Sequence, residues 1–324
     1  MNKDVKKLII KLFIFVIIVF VLLVGRVIVV TQLSVVKYRT SYQYILTKKY
    51  EQLVNINEPK IILLGGSNLT FGINKDIIEE KTGMPVVNMG LHAGMGLRFN
   101  TEIAKANIKK GDIIILAYEY SIIDDISHFS PELVVSGIDN QLEIYKYVPI
   151  QYWPEIIKYI PTYAFKKLDA INDKQTTGVY SASSFDTKGN MILERKQCTL
   201  PSNITLNYGE VRLKDKENIP DETSEYINKF INYVNEKGAT VLYTFPSVIN
   251  ERFYVTEEQI ESYEMEVDEE IDAKRISNIK DYIFEREYMY DTIFHLNENG
   301  ANIRSEKLAS DILNYLNHKK DGNI

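Results

Sequence analysis

The chain has 324 residues, 45% of them hydrophobic and 25% charged, with no low-complexity stretch, so it is neither disordered nor fibrous but a folded body of one or two domains. Cys198 is the only cysteine, which excludes an intrachain disulfide and a cysteine-held zinc or iron–sulfur centre. The net charge is −6, yet residues 1–31 hold five basic residues and one acidic residue; the remainder is therefore near −10, a poor partner for the phosphates of nucleic acid.

The N-terminus sets the compartment. Leu12–Gly25 reads LFIFVIIVFVLLVG, and Val27–Val30 continues it past Arg26. Leu8–Val30, at 1.5 Å per residue, is long enough to cross a ~30 Å hydrocarbon core as a helix. Lys11 and Arg26 stand near the ends, where long side chains snorkel to the headgroups. The lysines before the run favour a cytoplasmic N-terminus, so everything after Thr31 is expected outside the cytoplasm. A cleaved signal peptide needs a small-x-small site after the apolar run, and VIVVTQLSVV offers none that convinces. A retained single-pass anchor through residues 8–30 is the expectation.

Residues 32–58 read as a mostly helical juxtamembrane stalk. Then strands and helices alternate. Lys60–Gly65 (KIILLG), Pro85–Asn88 (PVVN), Asp112–Ala117 (DIIILA) and Ala239–Phe245 (ATVLYTF) are short apolar runs of the buried parallel type. Asn74–Thr82, Leu97–Ile108, Thr223–Lys237 and Ala301–His318 are helical, two of them stopped by Gly83 and Gly238. This alternation predicts an α/β fold with a parallel sheet, helices on both faces and a ligand site at the carboxyl ends of the strands. Residues 125–220 interrupt it and are too long for a sheet connection, so they read as an insertion. Its first half is aromatic, with the only tryptophan, Trp153; its second half (GVYSASSFDTKGNMIL) predicts a hairpin around a KGN turn. It is either a subdomain packed on its own aromatics, a wall of the substrate cleft or a docking surface near the membrane. Phe253–Ala273 carries nine acidic and no basic side chains, but Ile260, Tyr263, Val267 and Ile271 form an apolar stripe, so it reads as a helix with a solvated acidic face and not as a calcium loop.

Two short motifs carry chemistry. GGSNLTFG (Gly65–Gly72) follows the first strand, and its glycines allow a tight turn that leaves Ser67 at the strand's carboxyl end. YDTIFHLNENG (Tyr290–Gly300) precedes the last helix. It offers His295 as a general base and Asp291 as the acceptor that orients it, the partners a serine nucleophile requires. Taken singly, Ser67 could be a turn residue, His295 a core histidine and Asp291 a loop residue.

Together the motifs resemble the SGNH/GDSL hydrolases, over residues 59–124 and 221–318. The resemblance implies a three-layer, flavodoxin-like parallel sheet with a Ser67–His295–Asp291 triad. It implies an oxyanion hole made by the N–H groups of Ser67 and of Ala93 or Gly94, in VVNMGLHAG, where Asn88 and Gly90 fit the family's second block. Asn68, Asn88, Gly90, His92, Glu119 and Tyr120 are expected around these residues. Two departures stand out: the third strand ends AYEYS, with Glu119 where the family offers an amide, and Asp291 is four residues before His295 instead of three.

A subgroup is closer still. The motifs are similar to those of membrane-anchored proteins of bacterial envelope modification, such as the D-alanylation protein D family of the teichoic-acid pathway and accessory acetyltransferases of exopolysaccharide pathways. That resemblance implies a bacterial plasma-membrane protein whose extracytoplasmic body is a serine-dependent O-acyltransferase or acylesterase. Its substrate would be an envelope polysaccharide or teichoic acid, its partner a polytopic membrane-bound O-acyltransferase, and it would need no cofactor or metal. The alternatives are an inactive scaffold or polymer-binding protein on the same fold, motivated by the missing amide, and a plain secreted esterase, against which the anchor argues.

Overall fold

A computed structural model describes residues 3–320. The chain opens with α1 (Lys3–Thr31), whose 29 residues span about 44 Å. It is long and apolar enough to cross a membrane, and Val30 is its one buried residue among those described. Two helices follow, α2 (Val36–Arg39) and α3 (Ile45–Asn55). The segment is not a free stalk. Ile45, Leu46, Tyr50 and Leu53 of α3 are buried in the core, because its apolar positions recur at helical spacing and find the sheet beneath them.

The body is α/β. Strands β1 (Ile61–Leu64), β2 (Val86–Asn88), β3 (Ile113–Leu116) and β4 (Thr240–Tyr243) pair in parallel, and β6 (Lys274–Arg275) joins β4. The order β2-β1-β3-β4-β6 reverses direction between β1 and β3. A two-stranded parallel ribbon, β5 (Val248–Ile249) with β7 (Ile283–Phe284), lies apart from it. Side chains alternate across the pleat, so the strands feed two cores. Ile62, Leu64, Val87, Ile114 and Leu116 point to one core, with α3, α6 (Leu97–Ala104) and α10 (Asp221–Glu236). Ile61, Leu63, Val86, Ile113 and Ile115 point to the other, with α5 (Lys75–Thr82) and α12 (Glu298–Lys320). The helix ends follow the sequence signals: the Asn74 side chain caps the Asp76 N–H, and Gly83 closes α5 with φ 69°, a left-handed turn that favours glycine.

Residues 125–220 contain α8 (Pro131–Ile138) and α9 (Trp153–Asp169), and Val134, Ile138, Ile144 and Ile156 enter the same core as the sheet. The insertion is therefore continuous with the body, and its aromatics also pack on one another, Phe129 on Tyr152 and Tyr145 on Trp153. The expected hairpin reduces to a turn with one antiparallel bridge, Phe185 to Met191, around Gly189. The Asp186 side chain takes the N–H groups of Lys188 and Asn190, a local closure that competes with a longer ladder. The acidic stretch forms α11 (Glu257–Glu270), with Ile260, Tyr263 and Val267 buried.

Candidate active site

The sheet ends on GG, and both glycines are demanded by close approach. A Cβ on Gly65 would strike the Ala117 carbonyl, and one on Gly66 the Glu119 carboxylate. The chain thereby turns sharply from β1 into a short helix, α4 (Ser67–Gly72), whose first residue is Ser67. β1 borders the point where the strand order reverses, the place where open α/β sheets hold ligands.

Ser67 Oγ lies 2.8 Å from His295 Nε2, and His295 Nδ1 lies 2.8 Å from Asp291 Oδ1. The four-residue spacing of Asp291 and His295 is accommodated by a tight loop. The Tyr290 N–H donates to the His295 carbonyl at 2.9 Å, and Thr292 Oγ1 accepts the N–H groups of Phe294 and His295. This folds the Asp291 carboxylate back onto the ring. The other face of the assembly is aromatic: Phe71 stacks on the His295 ring, with centroids 4.0 Å apart and planes 7° off parallel. Tyr180, from the insertion, donates its hydroxyl to Asp291 Oδ2 at 2.7 Å. Burial alone would raise the Asp291 carboxyl, but the hydrogen bond and charge of His295 and the Tyr180 hydroxyl outweigh it, and its pKa lies below the ordinary aspartate value. An ionised Asp291 fixes the imidazole proton on Nδ1 and leaves Nε2 free to accept from Ser67.

Glu119 does not face the cleft. Its carboxylate accepts the N–H of Gly66 at 3.1 Å and of Asn68 at 3.2 Å, clamping the backbone on both sides of the nucleophile. The Ser67 N–H between them has no hydrogen-bond partner among the described residues. Asn68 points inward, donating to the Ala117 carbonyl, while Arg304 of α12 donates to Asn68 O and Oδ1 at 2.9 Å and to the Phe245 carbonyl at 3.1 Å. Burial lowers the Arg304 pKa to about 10, against the raising influence of Tyr282 and Glu119. Asn88 donates to the Leu69 carbonyl and accepts the Gly90 N–H, and Thr70 donates to the Gly90 carbonyl, so the second motif is tied to α4.

Two expected placements need correction. The Gly94 N–H is not open to an oxyanion, because it donates to His92 Nδ1 at 3.0 Å; the Ala93 N–H has no hydrogen-bond partner among the described residues. Tyr120 is outside the site: α7 (Tyr120–Asp124) turns its ring into the core against Tyr263. His92 shares a cavity with the nucleophile. It borders a cavity of about 320 Å³ together with Tyr42, Ser67, Tyr180, Thr292, Phe294 and His295. Burial lowers its pKa, and His295 and His128 push in the same direction, which favours the neutral ring. With Nδ1 accepting from Gly94, the neutral ring carries its proton on Nε2. Larger hollows of about 630 and 570 Å³ lie elsewhere and are lined by neither Ser67 nor His295. Among the described residues no cluster of three His, Cys, Asp or Glu could hold a metal.

Phe71 was within the first motif, but its stacking role was not legible there; Tyr180, Tyr42 and Arg304 gave no signal in sequence, since each reaches the site only through tertiary packing. No protein-family model matches the chain, and no curated protein matches it.

Proposed function

We propose that this chain is a membrane-anchored, SGNH-like serine acyltransferase or acylesterase that modifies a cell-envelope polysaccharide or teichoic acid outside the cytoplasm. The observation that carries the reading is the unbroken hydrogen-bonded series Ser67–His295–Asp291 at the carboxyl end of a parallel sheet. The strand order, the flavodoxin-like one with a parallel fifth strand, favours the SGNH architecture. The anchor helix favours a substrate held at the cell surface. A polytopic acyl donor in the same membrane is what the motif resemblance implies.

In this mechanism Ser67 Oγ attacks the acyl carbonyl as its proton passes to His295 Nε2. The Ser67 N–H and His92 Nε2–H stabilise the oxyanion, the histidine supplying what an amide supplies elsewhere. The tetrahedral adduct collapses to an acyl-serine as His295 returns the proton to the leaving group. An acceptor hydroxyl then gives its proton to His295 and attacks the ester; the acyl bond to Ser67 Oγ breaks and His295 returns the proton to that oxygen, so that a sugar hydroxyl makes the reaction transfer and water makes it hydrolysis.

The test is a fluorophosphonate probe on the full-length chain in membranes, read by intact mass. The expected result is one adduct on the wild type and none on Ser67→Ala. Equal labelling of both would sink the reading. The presence of Glu119 in place of an amide favours a second one, an inactive scaffold of the same pathway; it predicts no adduct and a Ser67→Ala protein that fully complements a deletion strain.

A further inference from the structure

Helix α9 has two apolar sides. Ile156, Tyr163 and Lys167 face the body and are buried. A second stripe, Ile157, Pro161, Phe165 and Leu168, recurs at spacings of four, four and three residues, so it forms one face of the helix. Ile157 is 61% and Phe165 is 69% exposed, and Ile150 just before the helix is 81% exposed. A stripe this apolar is not explained by the fold, since the body covers only the first side.

The position of α9 says what covers the second. α9 packs against α1, and Val30 is the residue of α1 that becomes buried. Lys167 Nζ donates to the Thr31 carbonyl at 2.7 Å and to the Leu33 carbonyl at 2.8 Å, so a buried cation closes the C-terminal end of the apolar helix. Asp139 balances that cation at 2.5 Å and is itself held by the Tyr163 hydroxyl. α9 is thus fastened at the level where the apolar run ends, so its open stripe lies beside the end of α1. Lys158 flanks the stripe, where a long side chain can reach headgroups, and Trp153 sits at its start; Lys166, on the same side, pairs with Glu132 at 2.6 Å.

We propose that α9 lies in the membrane interface, with Ile157, Pro161, Phe165 and Leu168 seated in the acyl boundary of the bilayer as a second, monotopic attachment beside the anchor. The inference rests on the reading of α1 as a membrane anchor. Two attachments fix orientation where one leaves the body free to swivel, so the cleft is held at a set angle to the membrane surface.

Trp153, the chain's only tryptophan, reports on it directly. The full-length protein is reconstituted into phosphatidylcholine vesicles with and without bromine on the acyl chains. Bromolipid is expected to quench Trp153 and the bilayer to shield it from aqueous iodide. A Trp153→Phe, Phe165→Trp protein, which moves the reporter onto the stripe, is expected to be quenched more strongly. Ile157→Asp with Phe165→Asp changes only exposed positions; it is expected to relieve the quenching of Trp153 while the protein still floats with the vesicles through α1. A protein that floats, but whose tryptophan is unquenched by bromolipid at both 153 and 165, overturns the inference and assigns the stripe to a protein partner. A protein that does not float overturns the anchor, and this inference with it.

Discussion

His92 shows how much one side chain decides. Its Nδ1 is spent on the Gly94 N–H, so the tautomer is set by the backbone and the remaining nitrogen is a donor. In the proposed mechanism that donor completes the oxyanion hole, and losing one such donor typically costs about 10²–10³ in rate. His92→Ala is therefore expected to slow fluorophosphonate labelling of Ser67 by about 10²-fold, with the melting temperature little changed. His92→Gln, which keeps an N–H at similar reach, is expected to recover part of it. Labelling of His92→Ala at the wild-type rate would remove His92 from the site. The nucleophile and its two partners were legible in sequence because their chemistry is carried by rare residue types beside strand-end and helix-start signals. His92 was legible only as a neighbour, for nothing in NMGLHAG says which ring nitrogen the backbone will take.

At the scale of elements, α4 is too short to hold itself: six residues offer little internal hydrogen bonding, so its position is imposed from below. Glu119 grips its first turn, and Arg304 crosses from α12 to hold the Asn68 carbonyl and side chain and the Phe245 carbonyl. Arg304→Met would leave the buried Asn68 carbonyl and amide oxygens and the Phe245 carbonyl without their donor, at about 1–3 kcal/mol each. For a body of this size that is a fall in melting temperature of about 10 °C, and Ser67 labelling should slow with it. A melt unchanged within about 2 °C would mean water replaces the guanidinium. Four strands and the helices flanking them were legible from apolar runs and glycine stops, with ends displaced by up to four residues. β6 was not: Lys274 and Arg275 are polar residues on an edge, and only pairing with β4 makes them a strand. The insertion hairpin failed for the opposite reason, a turn signal without the cross-strand apolar pairs to extend it.

At the scale of the molecule, the segments that the sequence separates are one piece of machinery. Tyr42, eleven residues past the apolar helix, lines the cleft, donates its hydroxyl to the Leu91 carbonyl at 2.6 Å and packs against Tyr180. Lys49 of α3 is buried and donates to the Asn88 carbonyl at 2.6 Å, and burial brings its pKa down to about 7. The insertion contributes Tyr180 to the cleft and grips the end of α1 with Lys167. The sequence boundaries at residues 58, 124 and 220 thus mark changes of pattern and not separable units, because periodicity reports which face is buried but not against what. A fragment beginning at residue 59 loses the apolar side chains of α3 that cover one face of β2, and with them Tyr42. Each such large buried side chain is worth about 2–5 kcal/mol, so the deficit exceeds the ~5–15 kcal/mol that holds a domain folded. Residues 59–324 are expected to aggregate or to lack a cooperative melt and any Ser67 adduct, whereas residues 32–324 should melt cooperatively and label. A folded, labelled 59–324 fragment would show that the site stands without the segment that joins it to α1.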